Sequence, residues 1–111
     1  MKLVRTPGHT PGTISLFFPV KWKGKTYTAM QWGGGVPHDS AFTTEVVDGF
    51  IARAKREGAT VRWQSHFKPD TRAMLDEARK GTSNPFLFGR DKFDRYLDII
   101  SACKHAGIDA G

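Results

Sequence analysis

The chain has 111 residues, of which 39% are hydrophobic and 25% are charged, and its formal net charge is +6. This length predicts a single domain over residues 1–111, and the balance of polar and apolar residues excludes a disordered or fibrous protein. No apolar run reaches the roughly 18 residues of a membrane span, and the first residues lack the apolar middle of a signal peptide, so we expect no membrane partner. The sequence does not indicate a cellular compartment.

The positive charge makes nucleic acid a partner to consider. The lysines and arginines are scattered along the chain, mostly beside acidic residues or at expected helix ends, which favours a solvated basic surface over a nucleic-acid interface. Cys103 is the only cysteine, so neither an intrachain disulfide nor a cysteine-based zinc site can form.

Three strands are predicted first, over residues 2–6, 13–20 and 26–32, because these stretches are rich in β-branched and aromatic residues. Gly24 can supply the positive φ that a tight turn between the second and third strands requires. The three strands together predict an antiparallel meander. Pro19 predicts that its part of the second strand lies at an edge or a bulge.

A helix is predicted next, capped by Asp39 or Ser40 and ending at Gly58. Its apolar positions recur every four residues from Phe42, which is typical of a helix with one buried face. Residues 60–65 then predict a further strand, with Trp63 in the core.

Two more helices complete the chain. Asp70 is expected to open the first, which ends at Gly81, and Asp91 is expected to open the second, with Asp94 at nearly the spacing of a capping box. The order of elements predicts an α/β fold, in which a mixed sheet containing a β-meander is flanked by about three helices.

The stretch Thr-Pro-Gly-His-Thr-Pro-Gly at residues 6–12 frames His9 between two identical Pro-Gly pairs. Proline and glycine are the two most specialised backbone residues, and we interpret both pairs as turns that fix the imidazole at a sheet edge. A stiff loop of this kind suits a metal ligand; a turn histidine bonded to nearby backbone is the alternative.

The chain has three other histidines. His66 follows a predicted strand, where α/β proteins place functional groups, although a surface histidine is the alternative. His38 lies just before a helix and His105 at a helix end, where each has an ordinary structural explanation. The chain contains no recognisable nucleophile motif, paired carboxylates or phosphate loop.

Residues 6–20, TPGHTPGTISLFFPV, resemble the third metal-ligand motif of the metallo-β-lactamase superfamily. Residues 63–70, WQSHFKPD, are similar to the family's final ligand motif, and residues 84–106 are similar to the C-terminal helix of its third subclass. The resemblance therefore covers residues 2–106 and implies half of an αβ/βα sandwich, with metals at the join of two similar halves.

The resemblance implies that His9 and His66 are zinc ligands, one for each of two metals. In the family, zinc lowers the pKa of a bound water so that it can attack an ester, amide or lactam carbonyl. The remaining ligands belong to a His-x-His-x-Asp-His motif that these 111 residues do not contain. We therefore expect an incomplete site that is inactive in the isolated chain, and an N-terminal half of the same fold as its partner.

The chain departs from the family at Gly33–Gly35, where many hydrolases carry a metal-bridging aspartate and the third subclass of β-lactamases carries a serine-bearing loop. This departure argues against β-lactams in particular as the substrate. Two alternatives to a hydrolase half remain open. One is a self-standing module, as a homodimer of two copies of the chain, and the other is a basic nucleic-acid-binding domain.

Overall fold

The computed structural model describes residues 1–8, 10–33, 42–63, 70–81 and 83–107. Over these ranges the chain has an α/β fold with a four-stranded mixed sheet and three helices, which confirms the predicted class. No helix in these ranges is both long enough and apolar enough to cross a membrane. The elements are β1 (Lys2–Arg5), β2 (Ile14–Trp22), β3 (Lys25–Gln31), α1 (Thr44–Glu57), β4 (Ala59–Trp63), α2 (Thr71–Lys80) and α3 (Arg90–His105).

The sheet has the order β1-β2-β3-β4. The first three strands form the predicted antiparallel meander, and β4 then lies parallel to β3. Between the paired residues Trp22 and Lys25, both Lys23 and Gly24 have positive φ, at 49° and 75°. These values are those of a type I′ turn, whose twist matches the twist of the flanking strands.

The position of Pro19 confirms the prediction for β2. The pairing of β1 with β2 stops at Phe17, so Phe18–Trp22 pair only with β3 among the described strands. Because proline has no N–H to donate to a ladder, it is tolerated on this side of the strand.

The core lies between one face of the sheet and the helices α1 and α3. Phe17 of β2 stacks on Phe50 of α1 with ring centroids 5.0 Å apart, and Trp32 packs against the same ring at 4.3 Å. The predicted apolar stripe of α1 contributes to this core, and so does one face of α3. Its buried members are Phe17, Met30, Trp32, Phe42, Val47, Phe50, Ile51, Ala54, Ala59, Phe93, Leu97 and Ile100.

The opposite face of the sheet is also apolar, and we call it the outer face. Strand alternation and register place Leu3, Ile14, Leu16, Phe18, Val20, Trp22 and Tyr27 on it. Leu3 is 63% exposed and Ile14 48%, and the other five are partly exposed, whereas Ala29 of β3 and Val61 of β4, which the same register places on this face, are buried. Trp63, predicted in the core, instead lies half-buried on this face against Phe86.

The predicted helix ends hold better than the predicted starts. Gly58 and Gly81 end α1 and α2 with φ of 71° and 76°, a conformation that glycine adopts without strain. The expected caps Asp39 and Ser40 lie outside the described residues, and the cap of α1 is Thr43, whose hydroxyl accepts a hydrogen bond from the N–H of Val46.

The predicted start of α3 is also wrong. The helix begins at Arg90, with Gly89 in the cap position, one residue before the expected opening at Asp91. Asp94 does not complete a capping box, because its carboxylate accepts a hydrogen bond from the Arg90 guanidinium. Asp70 does precede α2, but its side chain makes no capping hydrogen bond.

Candidate metal centre at one end of the sheet

Two loops meet at one end of the sheet because of the strand directions. The antiparallel pairing of Arg5 with Ile14 puts the loop of residues 6–13 at the end where β2 begins. The pairing of Leu16 with Gln31 puts the end of β3 there as well. The loop that follows β3 therefore leaves the sheet beside loop 6–13.

A third loop leaves from the same end. Since β4 is parallel to β3 and Trp63 pairs with Gln31, both strands end at this side of the sheet. The three loops contain, in sequence, His9, His38 and His66, all of which lie outside the described residues. The structure therefore defines the loop bases and the immediate neighbours of His9.

The base of loop 6–13 is built on a buried hydroxyl pair. Thr6 Oγ1 and Ser15 Oγ are 2.7 Å apart, and both side chains are almost fully buried. Ser15 Oγ also accepts a hydrogen bond of 3.0 Å from the N–H of Gly33. One hydroxyl thus ties the His9 loop to the end of β3.

The rest of the loop is held by its own backbone and threonines. The N–H of Gly8 donates to the carbonyl of Thr10, so the two neighbours of His9 are bonded to each other. Thr13 accepts at Oγ1 from the N–H of Thr10, and its carbonyl accepts from the N–H of Thr6. Both sides of position 9 are therefore held in place through hydrogen bonds.

The two Pro-Gly pairs differ: Pro11 and Gly12 form the predicted turn, closed by a hydrogen bond from the N–H of Thr13 to the carbonyl of Thr10, whereas Gly8 lies in a bend. Neither Gly8 nor Gly12 has the positive φ that favours glycine. A Cβ at Gly8 would lie 2.3 Å from a ring carbon of Phe42, whereas one at Gly12 would meet nothing within 4 Å. Gly8 is needed because the buried Phe42 ring lies against its backbone.

A close backbone contact also fixes Gly33. A Cβ there would lie 2.0 Å from the carbonyl oxygen of Ile14, the first residue of β2. Glycine thus lets the end of β3 approach the start of β2 closely. The sequence alone gives no sign of this contact, nor of the role of Ser15.

His105 is occupied elsewhere. Its Nε2 lies 2.6 Å from Asp48 Oδ2, and Ser101 donates a 2.7 Å hydrogen bond to Oδ1 of the same carboxylate. These bonds, that of Ser101 first, lower the pKa of Asp48 below its usual value. The serine faces the carboxylate and not the imidazole, so the group is not arranged as a nucleophile with its base.

Imidazole nitrogen is a preferred zinc ligand, so the donors that this chain supplies through His9 and His66 fit that metal in kind. They do not fit it in number, because a zinc site needs three or four protein ligands. Within the described ranges, no three His, Cys, Asp or Glu side chains are grouped so that they could hold a metal ion. Two histidines alone would therefore supply only part of a zinc site.

Comparisons with models of known protein families, with curated protein sequences and with solved structures find no match. The resemblance to the metallo-β-lactamase superfamily therefore rests on the sequence motifs, and the family remains a proposal.

Proposed function

We propose that this chain is the C-terminal portion of a zinc-dependent hydrolase of the metallo-β-lactamase type, with His9 and His66 as zinc ligands. The observation that carries the proposal is that the loops containing the two histidine motifs leave the sheet at the same end. Adjacent strands are about 4.8 Å apart, so about 10 Å separates the start of β2 from the end of β4. Loops leaning towards β3 can bridge that span.

The hydrogen bonds around loop 6–13 support a ligand role for His9. A metal ligand must keep its orientation, and residues that hold the ligand-bearing loop are part of a working site. Thr6, Ser15 and Gly33 form a buried connection between that loop and β3. This framework would position His9 in the absence of metal.

The outer face supports the idea of a two-part sandwich. A sheet with helices on one side and apolar residues on the other fits one half of a fold in which two sheets pack face to face. We propose that an N-terminal half of the same fold covers this face and supplies the remaining ligands. Both halves would then be required for activity.

Zinc, when bound, supplies Lewis-acid activation of water and of a carbonyl group, which suits hydrolysis of an ester, amide or lactam. The part of this chain is to hold the metal through His9 and His66. Gly33–Gly35 offer no side chain to contact a substrate, which favours an ester, amide or lactone substrate over a β-lactam.

Metal titration of the 111-residue chain tests the proposal. We expect Co²⁺ or Zn²⁺ to bind with a Kd on the order of micromolar or weaker, because one imidazole for each of two neighbouring metals cannot close a site. Paramagnetic Co²⁺ should broaden the imidazole NMR signals of His9 and His66 together. H9A and H66A should each weaken binding about tenfold or more.

The matched control is H105A, which removes an imidazole that already pairs with Asp48 and should leave metal binding unchanged. Nanomolar affinity in a monomer would contradict the proposal, because it would require a complete ligand set in this chain. Broadening of His9 without His66 would also contradict it.

The outer face favours one alternative, a self-standing module in which a second copy of the chain covers it. Sedimentation separates the two, since a hydrolase half predicts a monomer and the module predicts a lasting dimer. In the second case L16K and V20K, which place charges on the outer face, should dissociate the dimer, whereas the exposed-site control K80E on α2 should not.

A further inference from the structure

A cavity lies between β4 and the exposed side of α3, away from the sheet end that carries the histidine motifs. Its volume is about 370 Å³, within the range of pockets that bind small molecules. The helix contributes residues at positions i, i+3, i+4 and i+7, so they lie on one face. The lining residues are Arg62, Phe88, Lys92, Arg95, Tyr96 and Ile99.

The charged part of this lining is entirely positive. Lys92 and Arg95 have no ion pair or hydrogen bond with any described residue, and Arg62 lies over the Tyr96 ring at 5.6 Å. The nearby acids Asp94 and Asp98 are paired with Arg90 and Lys55 instead. Lys92 and Arg95 are thus left available for an anion.

The remaining lining is apolar and partly open to solvent. Phe88 is 44% exposed and Ile99 is 58% exposed, and both adjoin the half-buried ring of Tyr96. Exposed aliphatic and aromatic side chains around a concave surface gain free energy when a ligand removes them from water. An anion without an apolar group would leave these side chains exposed to water.

We propose that this cavity binds an anionic ligand with an apolar body, of the class of medium-chain or aromatic carboxylates. The carboxylate lies between Lys92 and Arg95, and the apolar body packs on Phe88, Tyr96 and Ile99. This site is separate from the proposed zinc site and does not depend on it.

The test is an NMR titration of the full 111-residue chain with decanoate, below the concentration at which it forms micelles. We expect saturable shifts of the Tyr96 and Ile99 amides. K92Q/R95Q should weaken binding about tenfold, because it removes two charge-assisted contacts. R72Q/K80Q, which removes the same charge from α2, should leave the affinity within twofold of the unmodified chain.

A second comparison tests the apolar part. I99S keeps the charge and should weaken decanoate binding severalfold, and decanol should bind at least fivefold more weakly than decanoate. The proposal is overturned if decanol binds as tightly as decanoate, if both charge variants weaken binding equally, or if the shifts map to Leu16 and Val20 on the outer face.

Discussion

The two faces of the sheet carry similar kinds of side chain but have different surroundings. Phe17 and Phe18 are neighbours in β2, and alternation turns them to opposite faces. Phe17 is 2% exposed and stacks on Phe50, whereas Phe18 remains partly exposed on the outer face. A strand that is apolar on both sides is typical of a sheet covered on both faces. The sequence of β2 thus suits a sheet with two covers, and α1 and α3 supply one.

The largest expected effect tests this contrast directly. F17A should lower the free energy of unfolding by about 3–5 kcal/mol, because it opens a cavity in the closed core. F18A removes the same atoms from the outer face and should cost about 1 kcal/mol. Urea unfolding of both variants measures the difference, and equal losses would show that the two faces are equally covered.

The next-largest effect concerns loop 6–13, in which Gly8 lies against the buried Phe42 ring. G8A should cost about 1–3 kcal/mol, because the added methyl group would overlap the Phe42 ring and force it to move. G12A is the matched control in the second Pro-Gly pair and should be neutral or stabilise by up to about 0.5 kcal/mol. Thermal unfolding compares them, and a G12A loss as large as that of G8A would contradict the distinction.

A smaller effect on stability is expected from Asp48 of α1, whose carboxylate is hydrogen-bonded to α3. Hydrogen bonds from Ser101 and His105 lower the pKa of Asp48 in the folded state, so its contribution to stability is present above the unfolded pKa and is lost as pH falls through the folded pKa. The Asp48 side chain is 41% exposed, so D48N should cost only about 0.5 kcal/mol at pH 7.

Urea unfolding from pH 7 to pH 2 measures this dependence. The difference between D48N and the unmodified chain should vanish at the acid end, and S101A should reproduce part of it. A difference that stays constant down to pH 2 would show that ionisation of Asp48 does not matter.

The smallest effect is in the hairpin at the far end of β2. Lys23 adopts a φ of 49°, which asparagine tolerates better, so K23N should stabilise the chain by about 0.5 kcal/mol. The lost contact of the Lys23 ammonium with the Trp22 ring, at 4.7 Å, offsets part of the gain. K23V should destabilise, and thermal unfolding that ranks valine above asparagine would contradict the turn type.

The elements that the sequence predicts correctly are those with a local cause. Alternation and β-branched residues identify the meander, Gly24 its turn, and Gly58 and Gly81 the helix ends. The first residue of a helix is harder to predict from the sequence, because several neighbouring polar residues can each act as the N-cap and tertiary packing decides which one does. In α1 the N-cap is Thr43 and not the nearby Asp39 or Ser40.

The sequence is least informative about contacts between distant segments. The Phe42 ring requires glycine at position 8, and Ser15 connects Thr6 to Gly33. Both contacts arise only when segments far apart in the chain pack together, so the local sequence does not indicate them. His9 and His66 were identified from motifs and lie outside the described residues. The topology explains why their loops share one end of the sheet.

The part of β2 that extends beyond β1, residues Phe18–Trp22, affects the tendency of the chain to aggregate in concentrated solution. An exposed strand edge invites pairing with another molecule and can seed aggregation. Pro19 withholds a donor from that edge, and Lys21 and Lys23 bring charge to its end. This segment can therefore stay apolar while resisting the growth of intermolecular β-structure along its edge.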